Sequence, residues 1–567
     1  MSAFGNNDRK KMMLDDTQPL SCTIEAAENV QGHTVYIMKV QRGSSEASWQ
    51  VTRRYSDFDA LNNMLLISSI DIPLPPKKMF GKLEREFVAE RQQALQVYIN
   101  FVLSHPFLCS SVHVKKFLDP SNYSFNFVET SLQHVSMIFR SEPEWEIVEP
   151  LLDFGWRIRK QYFSIKSKNE TKKRFILSWT ALGPDQYLNE KDLSSAIKLL
   201  GSLQHPYVQP VSMSCVSSSG GLVIYDFLES GTLRDILCNT KPRLPFLKKY
   251  SNPKSYHAFE LPKIRVFGHQ ILIALKFLHD RGFFHGSVHS GNAAISGGKC
   301  KLLDIFNGVL GVPSLLRPYF VQLKKIQTVE NIDVYCFGHL LYEMAFGAPL
   351  SATSCDNLPN SCAPELRSVL LSILSKEALK NGVPSLSDLL QNPFFAHAAG
   401  EVEKVHFKVP TQLKESLRKA KELTEARLKE EQKSLRHSKR ISKVQAQLSC
   451  DDEKKKRHHE RRKKQNLELS NNAPSERVET PTVTGTSVNN SNPPTPSSPL
   501  PPPPPPPPPP LETSSVVAAP PPPPPPMPAA ATNGATGGRA ALLSSIQGFS
   551  KAALKKAETK DSSAPKI

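Results

Sequence analysis

Two unbroken proline runs, Pro501–Pro510 and Pro520–Pro526, set the narrowest limit on how this chain can fold. Proline has no backbone N–H and a fixed φ, so such runs enter neither a helix interior nor the middle of a sheet. They adopt the extended polyproline II helix instead. The hydrophobic core must therefore come from residues before 470. The chain has 567 residues, and its length suggests roughly three to four domains. The net charge of +18 favours anionic partners: phospholipid surfaces, nucleic acid or acidic protein faces.

The N-terminal "MSAFGNNDRKKMM" has no apolar stretch of the kind a signal peptide needs. No apolar run approaches the roughly 20 residues that span a bilayer, and "ILIALKFL" is short and contains Lys276. Nine cysteines without CxxC spacing suggest reduced cytosolic thiols and no zinc site.

Residues 15–120 begin with strand-like runs punctuated by Gly32 and by Gly43–Ser45. "FDALNNMLL" reads as a helix and "IPLPPKK" as extended chain. "EREFVAERQQALQVYINFVLSH" reads as a long amphipathic helix with Phe87, Leu95, Tyr98, Phe101 and Val102 on one face. Residues 121–145 read as a connector. From 146 to 397 strand patterns precede helix patterns, and "IRVFGHQILIALKFLHDRG" and "IDVYCFGHLLYEMAFG" are apolar enough to be buried helices. Residues 400–470 are helix-prone and basic, with 21 Lys and Arg against 12 Asp and Glu. A solvated helix with charges on all faces is expected there, and "KKKRHHERRKK" leaves a nuclear signal or contact with acidic lipid headgroups open.

The elements "RRYSDF", "LPPKK" and "FVAERQQALQVYINFVL", in that order, resemble the PX (phox homology) phosphoinositide-binding domain over residues 15–125. Arg54 offers a planar fork that can hold a phosphate bidentately; by resemblance it takes the 3-phosphate. Tyr55 would lie against the inositol, Lys77 would meet the 1-phosphate, and Arg91 would bond the ring hydroxyls. Met79 and Phe80, flanked by Lys78 and Lys82, look like a membrane-inserting loop. The resemblance implies phosphatidylinositol 3-phosphate, or a related phosphoinositide membrane, as ligand.

Residues 146–397 resemble a protein kinase. "AIKLLGSLQHPYVQPV", "LVIYDFLESGTLRDIL", "FFHGSVHSGN", "KLLDIFNG" and "NIDVYCFGHLLYEM" follow in the family's order. Phosphoryl transfer needs a glycine loop over the phosphates, a Lys–Glu pair, a base and metal-holding side chains. Here the loop region "LLDFGWRIRKQYFSIK" has the single glycine Gly155, Ser178 stands at the Lys position and Ala196 at the Glu position. Ser287 replaces the catalytic Asp, and a serine hydroxyl is no base near neutrality. Val321 and Val383 stand where a further Glu–Arg pair is expected. Asn292 and Asp304 remain, the latter in "DIF". They leave weak ATP and Mg²⁺ binding open, although Asp304 also reads as a plain turn residue. A catalytically inactive kinase fold is the expectation, with no cofactor. The alternative is a divergent active serine/threonine kinase using His289 as base.

Residues 471–536 read as a disordered linker whose polyproline suits profilin or another polyproline-reading domain. At 537–560, "RAALLSSIQGFSKAALKKAET" resembles the WASP-homology actin-binding motif. Leu542, Leu543 and Ile546 would form the buried helix face, with Ala541 beside them. Leu554, Lys555 and Lys556 would form the extended element, in which Ala557 departs from the family's Thr. The expected fold class is thus multidomain α+β: a PX domain, a bilobal kinase-like fold, a basic helical segment and a disordered proline-rich tail. The expected function is a cytoplasmic scaffold, peripheral on endosomal or plasma membrane, that binds phosphoinositide and actin and serves an unidentified membrane protein in trafficking or regulation. Nucleic acid is not expected, since the basic segment has almost no aromatic residues.

Overall fold

A computed structural model describes residues 14–43, 47–77, 84–396 and 405–470. The first domain opens with an antiparallel sheet of β1 (Leu20–Val30), β2 (His33–Arg42) and β3 (Ser48–Arg54), in that order. Along β1, Leu20, Cys22 and Ile24 are buried and alternate with exposed residues, as a sheet with one covered face requires. Val30 pairs with His33, and Gln31 and Gly32 between them both have positive φ, 49° and 78°. That is the two-residue turn whose twist matches the strands. Helices α1 (Tyr55–Leu65), α2 (Arg85–Ser104) and α3 (Val112–Leu118) cover the sheet. Leu95, Tyr98, Ile99 and Val102 of α2 are fully buried, while Phe87 and Phe101 of the predicted face lie outside that group.

The expected connector is instead a structural element. Residues Phe127–Phe139 form helix α4, and Val135 is buried against Phe163, Leu177 and Trp179 of the next sheet. His134 stacks on Trp179 with ring centroids 4.8 Å apart.

That next sheet holds β4 (Trp145–Leu151), β5 (Lys160–Ser167), β6 (Phe175–Ala181), β7 (Met213–Val216) and β8 (Gly220–Asp226) in the antiparallel order β4-β5-β6-β8-β7. Helix α5 (Glu190–Gly201) lies between β6 and β7 in the chain. Its side chains Leu193, Ile197 and Leu200 join the core of the mainly helical lobe that follows. In that lobe α6 (Phe246–Tyr250), α7 (Leu261–His279) and α8 (Val329–Phe346) precede further helices, with a small hairpin of β9 (Ala293–Ser296) and β10 (Lys299–Leu302). Buried residues succeed one another around α8, as expected of a helix apolar on every face. A methyl group on Gly338 would lie 2.6 Å from Ile373, so close helix packing explains that glycine.

The first domain is docked on the kinase-like one. Phe246, Leu247 and Tyr250 of α6 share a core with Leu108 and Phe117, and Asn252 donates to the Ser69 carbonyl at 2.7 Å.

Residues Thr411–Ser470 form a continuous helix, α9. Its first half is not solvated on all faces as expected. Leu413, Leu417 and Leu428 are buried in the main core, and Gln432 donates to the Leu323 and Ile326 carbonyls. Arg317 bonds Asp15, Asp185 and Glu431, and Arg427 reaches the same three carboxylates. This cluster ties the chain's start, both kinase-like lobes and α9 together. Among the described residues, no helix is long and apolar enough to cross a membrane.

Candidate functional site

In the first domain the predicted lipid-binding residues gather around the extended Pro75–Lys77 segment. Tyr55 donates its hydroxyl to the Pro75 carbonyl. Arg91 donates to the Pro76 carbonyl at 2.8 Å and lies 4.3 Å from the ring centroids of both Tyr55 and Phe87. Arg91 is buried, and its bond to Pro76 helps hold this segment in place. Lys77 is exposed and pairs with Asp59 at 2.9 Å. Arg54, also exposed, stands just before α1, where its backbone N–H donates to Asp57 at 2.7 Å. The guanidinium is thus open to an anion. Met79 and Phe80 lie outside the described residues, as do Leu542, Leu543, Ile546, Leu554, Lys555 and Lys556.

In the kinase-like cleft, the scaffold around the catalytic loop is intact. Asp333 of α8 accepts from the backbone N–H groups of His285 at 2.9 Å and Gly286 at 2.8 Å, and from the His279 ring at 2.8 Å. His285 donates to the Leu303 carbonyl at 2.8 Å. Asn292 donates to the Ser287 carbonyl at 2.9 Å. Below the loop, Glu343 pairs with Arg234 and accepts from Ser290 at 2.7 Å. These bonds keep the loop's shape without asking it to do chemistry.

The chemistry-bearing positions are rearranged. Ser178 on β6 and Ala196 on α5 are both buried, so the usual Lys–Glu pair has neither partner. Ser287 is fully buried, and its hydroxyl accepts from Arg157 at 3.1 Å. Arg157 also donates to the Pro313 carbonyl at 2.6 Å. It comes from the segment that would be the glycine loop. Gly155 of that segment fits because a side chain there would lie 2.8 Å from the Tyr162 ring.

Asp304 is no plain turn residue. Its backbone has a positive φ of 54°, uncommon outside glycine but tolerated by Asp. Its carboxylate meets the Lys160 ammonium at 2.6 Å. Burial alone would raise the Asp304 carboxyl; Lys160, Arg157 and His285 outweigh it and hold the group below its usual value. Lys160, on β5, is buried. A cation thus reaches the carboxylate at the position where kinases hold a metal, from the strand next to the one with Ser178 at the Lys position. Residue-by-residue comparison missed Lys160 and Arg157. The signal was there: a loop that should be glycine-rich carries Arg157, Arg159 and Lys160 instead.

His289 fits poorly as a base. It is buried, and burial, followed by Arg234 and Arg157, pushes its pKa well below the ordinary value. Its Nδ1 accepts from the Gly291 N–H at 3.0 Å, which places the proton on Nε2 and leaves no free lone pair.

The PX domain family matches residues 41–121 and the WH2 motif matches residues 535–564. A PX domain-containing protein kinase-like protein of Mus musculus is 52% identical over 438 residues, covering 77% of this chain and 75% of its own length. The slowpoke-binding protein of Drosophila melanogaster is 31% identical, covering 36% of this chain and 42% of its own length. The Dictyostelium discoideum protein slob1, described as a probable inactive serine/threonine-protein kinase, is 29% identical over 47% of this chain and 50% of its own length.

Proposed function

The chain belongs to the family of PX domain-containing protein kinase-like proteins, and on that premise we propose that it is a membrane-recruited adaptor with a catalytically inactive kinase fold. The PX domain binds phosphatidylinositol 3-phosphate through Arg54, Tyr55, Lys77 and Arg91, with Met79 and Phe80 entering the bilayer. This places the protein in the cytoplasm, peripheral on endosomal or plasma membrane. The kinase-like fold presents a surface to a membrane protein in trafficking or regulation. The WH2 motif binds actin, and the proline runs engage profilin or a similar reader.

The observation that carries the inactive reading is the Lys160 ammonium on Asp304, with Ser287 in place of a base. A carboxylate held by the protein's own cation is not open to a metal, and a serine cannot accept the substrate proton. The relatives described as slowpoke-binding and as a probable inactive kinase support an adaptor that binds another protein. The membrane part is tested by pelleting with liposomes that carry phosphatidylinositol 3-phosphate. Arg54→Ala is expected to remove pelleting with the fold unchanged, because Arg54 is exposed; undiminished pelleting refutes the site.

A further inference from the structure

Where the PX domain meets the mouth of the kinase-like cleft, the structure encloses a cavity of about 390 Å³. Its cationic lining comes from both domains: Lys116 of α3, Arg157 of the former glycine loop, and Lys160 at the start of β5, with the His113 ring of α3 beside them. Asp153 is the carboxylate among the lining residues, and Asp304 stands behind Lys160. The cavity is therefore cationic on balance. Phe154, Trp156 and Tyr162 give it aromatic walls.

The charge of Arg157 is only partly matched. Arg157 bonds only neutral acceptors, the Pro313 carbonyl and the Ser287 hydroxyl, and has no carboxylate partner among the described residues. Burial draws its pKa down to about 10, against the opposing pull of Asp304. Behind Trp156, outside the lining itself, the neutral His289 ring lies 6.4 Å away and holds a buried Nε2 that has no partner among the described residues. Buried donors of this kind are costly unless an acceptor meets them.

We propose that this cavity binds a small organic phosphate, its phosphate among Arg157, Lys160 and Lys116 and its ring-bearing body against Trp156 and Tyr162, without a divalent metal. The volume is in the range of small-molecule sites. Guanidinium and ammonium groups are the usual phosphate donors. The metal is dispensable because Lys160 already neutralises Asp304, and the Asn292 amide is engaged with the Ser287 carbonyl. A nucleotide and a free inositol phosphate share this chemistry. The site is separate from the lipid site around Tyr55, and it does not rest on the membrane reading.

The test is calorimetric titration of the full chain in EDTA with AMP, ATP, inositol hexakisphosphate and inorganic phosphate. At least one organic phosphate is expected to bind, more tightly than inorganic phosphate and with an affinity that magnesium does not change. Whether the nucleotides or the inositol phosphate bind tells the two sources apart. Lys116 is exposed, so Lys116→Glu leaves the fold intact and is expected to weaken binding by about tenfold or more. Saturation with short-chain phosphatidylinositol 3-phosphate is expected not to displace the ligand. Failure of all organic phosphates to bind, a requirement for magnesium, insensitivity to Lys116→Glu, or displacement by that lipid each overturns the proposal.

Discussion

Replacing Lys160 with methionine keeps the length of the side chain and removes its charge. The ammonium lies 2.6 Å from Asp304, with 3% of the Lys160 side chain and 14% of the Asp304 side chain exposed. Breaking a buried pair by removing one partner costs about 3–5 kcal/mol, because the other charge stays buried. Arg157 still acts on Asp304, so the lower end applies, about 3 kcal/mol. For a domain of this size each kcal/mol shifts the unfolding midpoint by about 2–4 °C, giving a fall of roughly 6–12 °C.

The pH dependence has a definite sign. In the native protein the Asp304 carboxyl is lowered, so its contribution is present above the ordinary carboxylate value and is lost as pH falls through the native one. Without Lys160, burial prevails and the carboxyl rises. The deficit of Lys160→Met should therefore shrink as pH is lowered. Thermal unfolding of Lys160→Met, Asp304→Asn and the double variant closes a cycle, with an expected coupling of about 2 kcal/mol. A Lys160→Met midpoint equal to that of the parent, or a cycle with no coupling, refutes the reasoning.

Arg317→Ala leaves Asp15 and Asp185 buried with half their cationic partners removed. It should destabilise the chain by about 3 kcal/mol and speed trypsin cleavage between 414 and 436; unchanged cleavage would mean that the cluster does not hold α9. Burial lowers His205 from 6.5 to about 4 and His339 to about 3, so both fold as neutral rings. Their contribution is full above 6.5 and is lost as pH falls toward 4. The unfolding midpoint should drop over that window, and a flat midpoint would contradict it. In the tail, Leu542→Ala should weaken binding to monomeric actin in a pull-down; equal affinity for both tails would dismiss Leu542 as an anchor.

The fold was legible wherever one residue pattern decided one element. The apolar run of α8 had to be buried, and the alternation along β1 had to face a core. The lost Lys–Glu pair was legible too, because Ser178 and Ala196 are absences within a single pattern. Lys160 was not legible in the same way. Its role depends on the pairing of β5 with β6, which sets Tyr162 opposite Ser178, and on the fold that brings Asp304 beneath it. The docked face of α9 is masked by composition: Leu413, Leu417 and Leu428 recur at helical spacing, but among so many charges that their stripe does not stand out. In α4 the opposite holds: its apolar stretch lies between two modules, where a linker is the expectation.

The central claim is that the kinase fold has kept its packing and given up phosphoryl transfer. The most direct measurement is transfer of labelled phosphate from ATP by the full chain in magnesium, to itself and to a generic protein substrate, beside an Asp304→Ala variant. The account predicts background transfer from both proteins. Magnesium-dependent transfer by the parent that Asp304→Ala abolishes would contradict it.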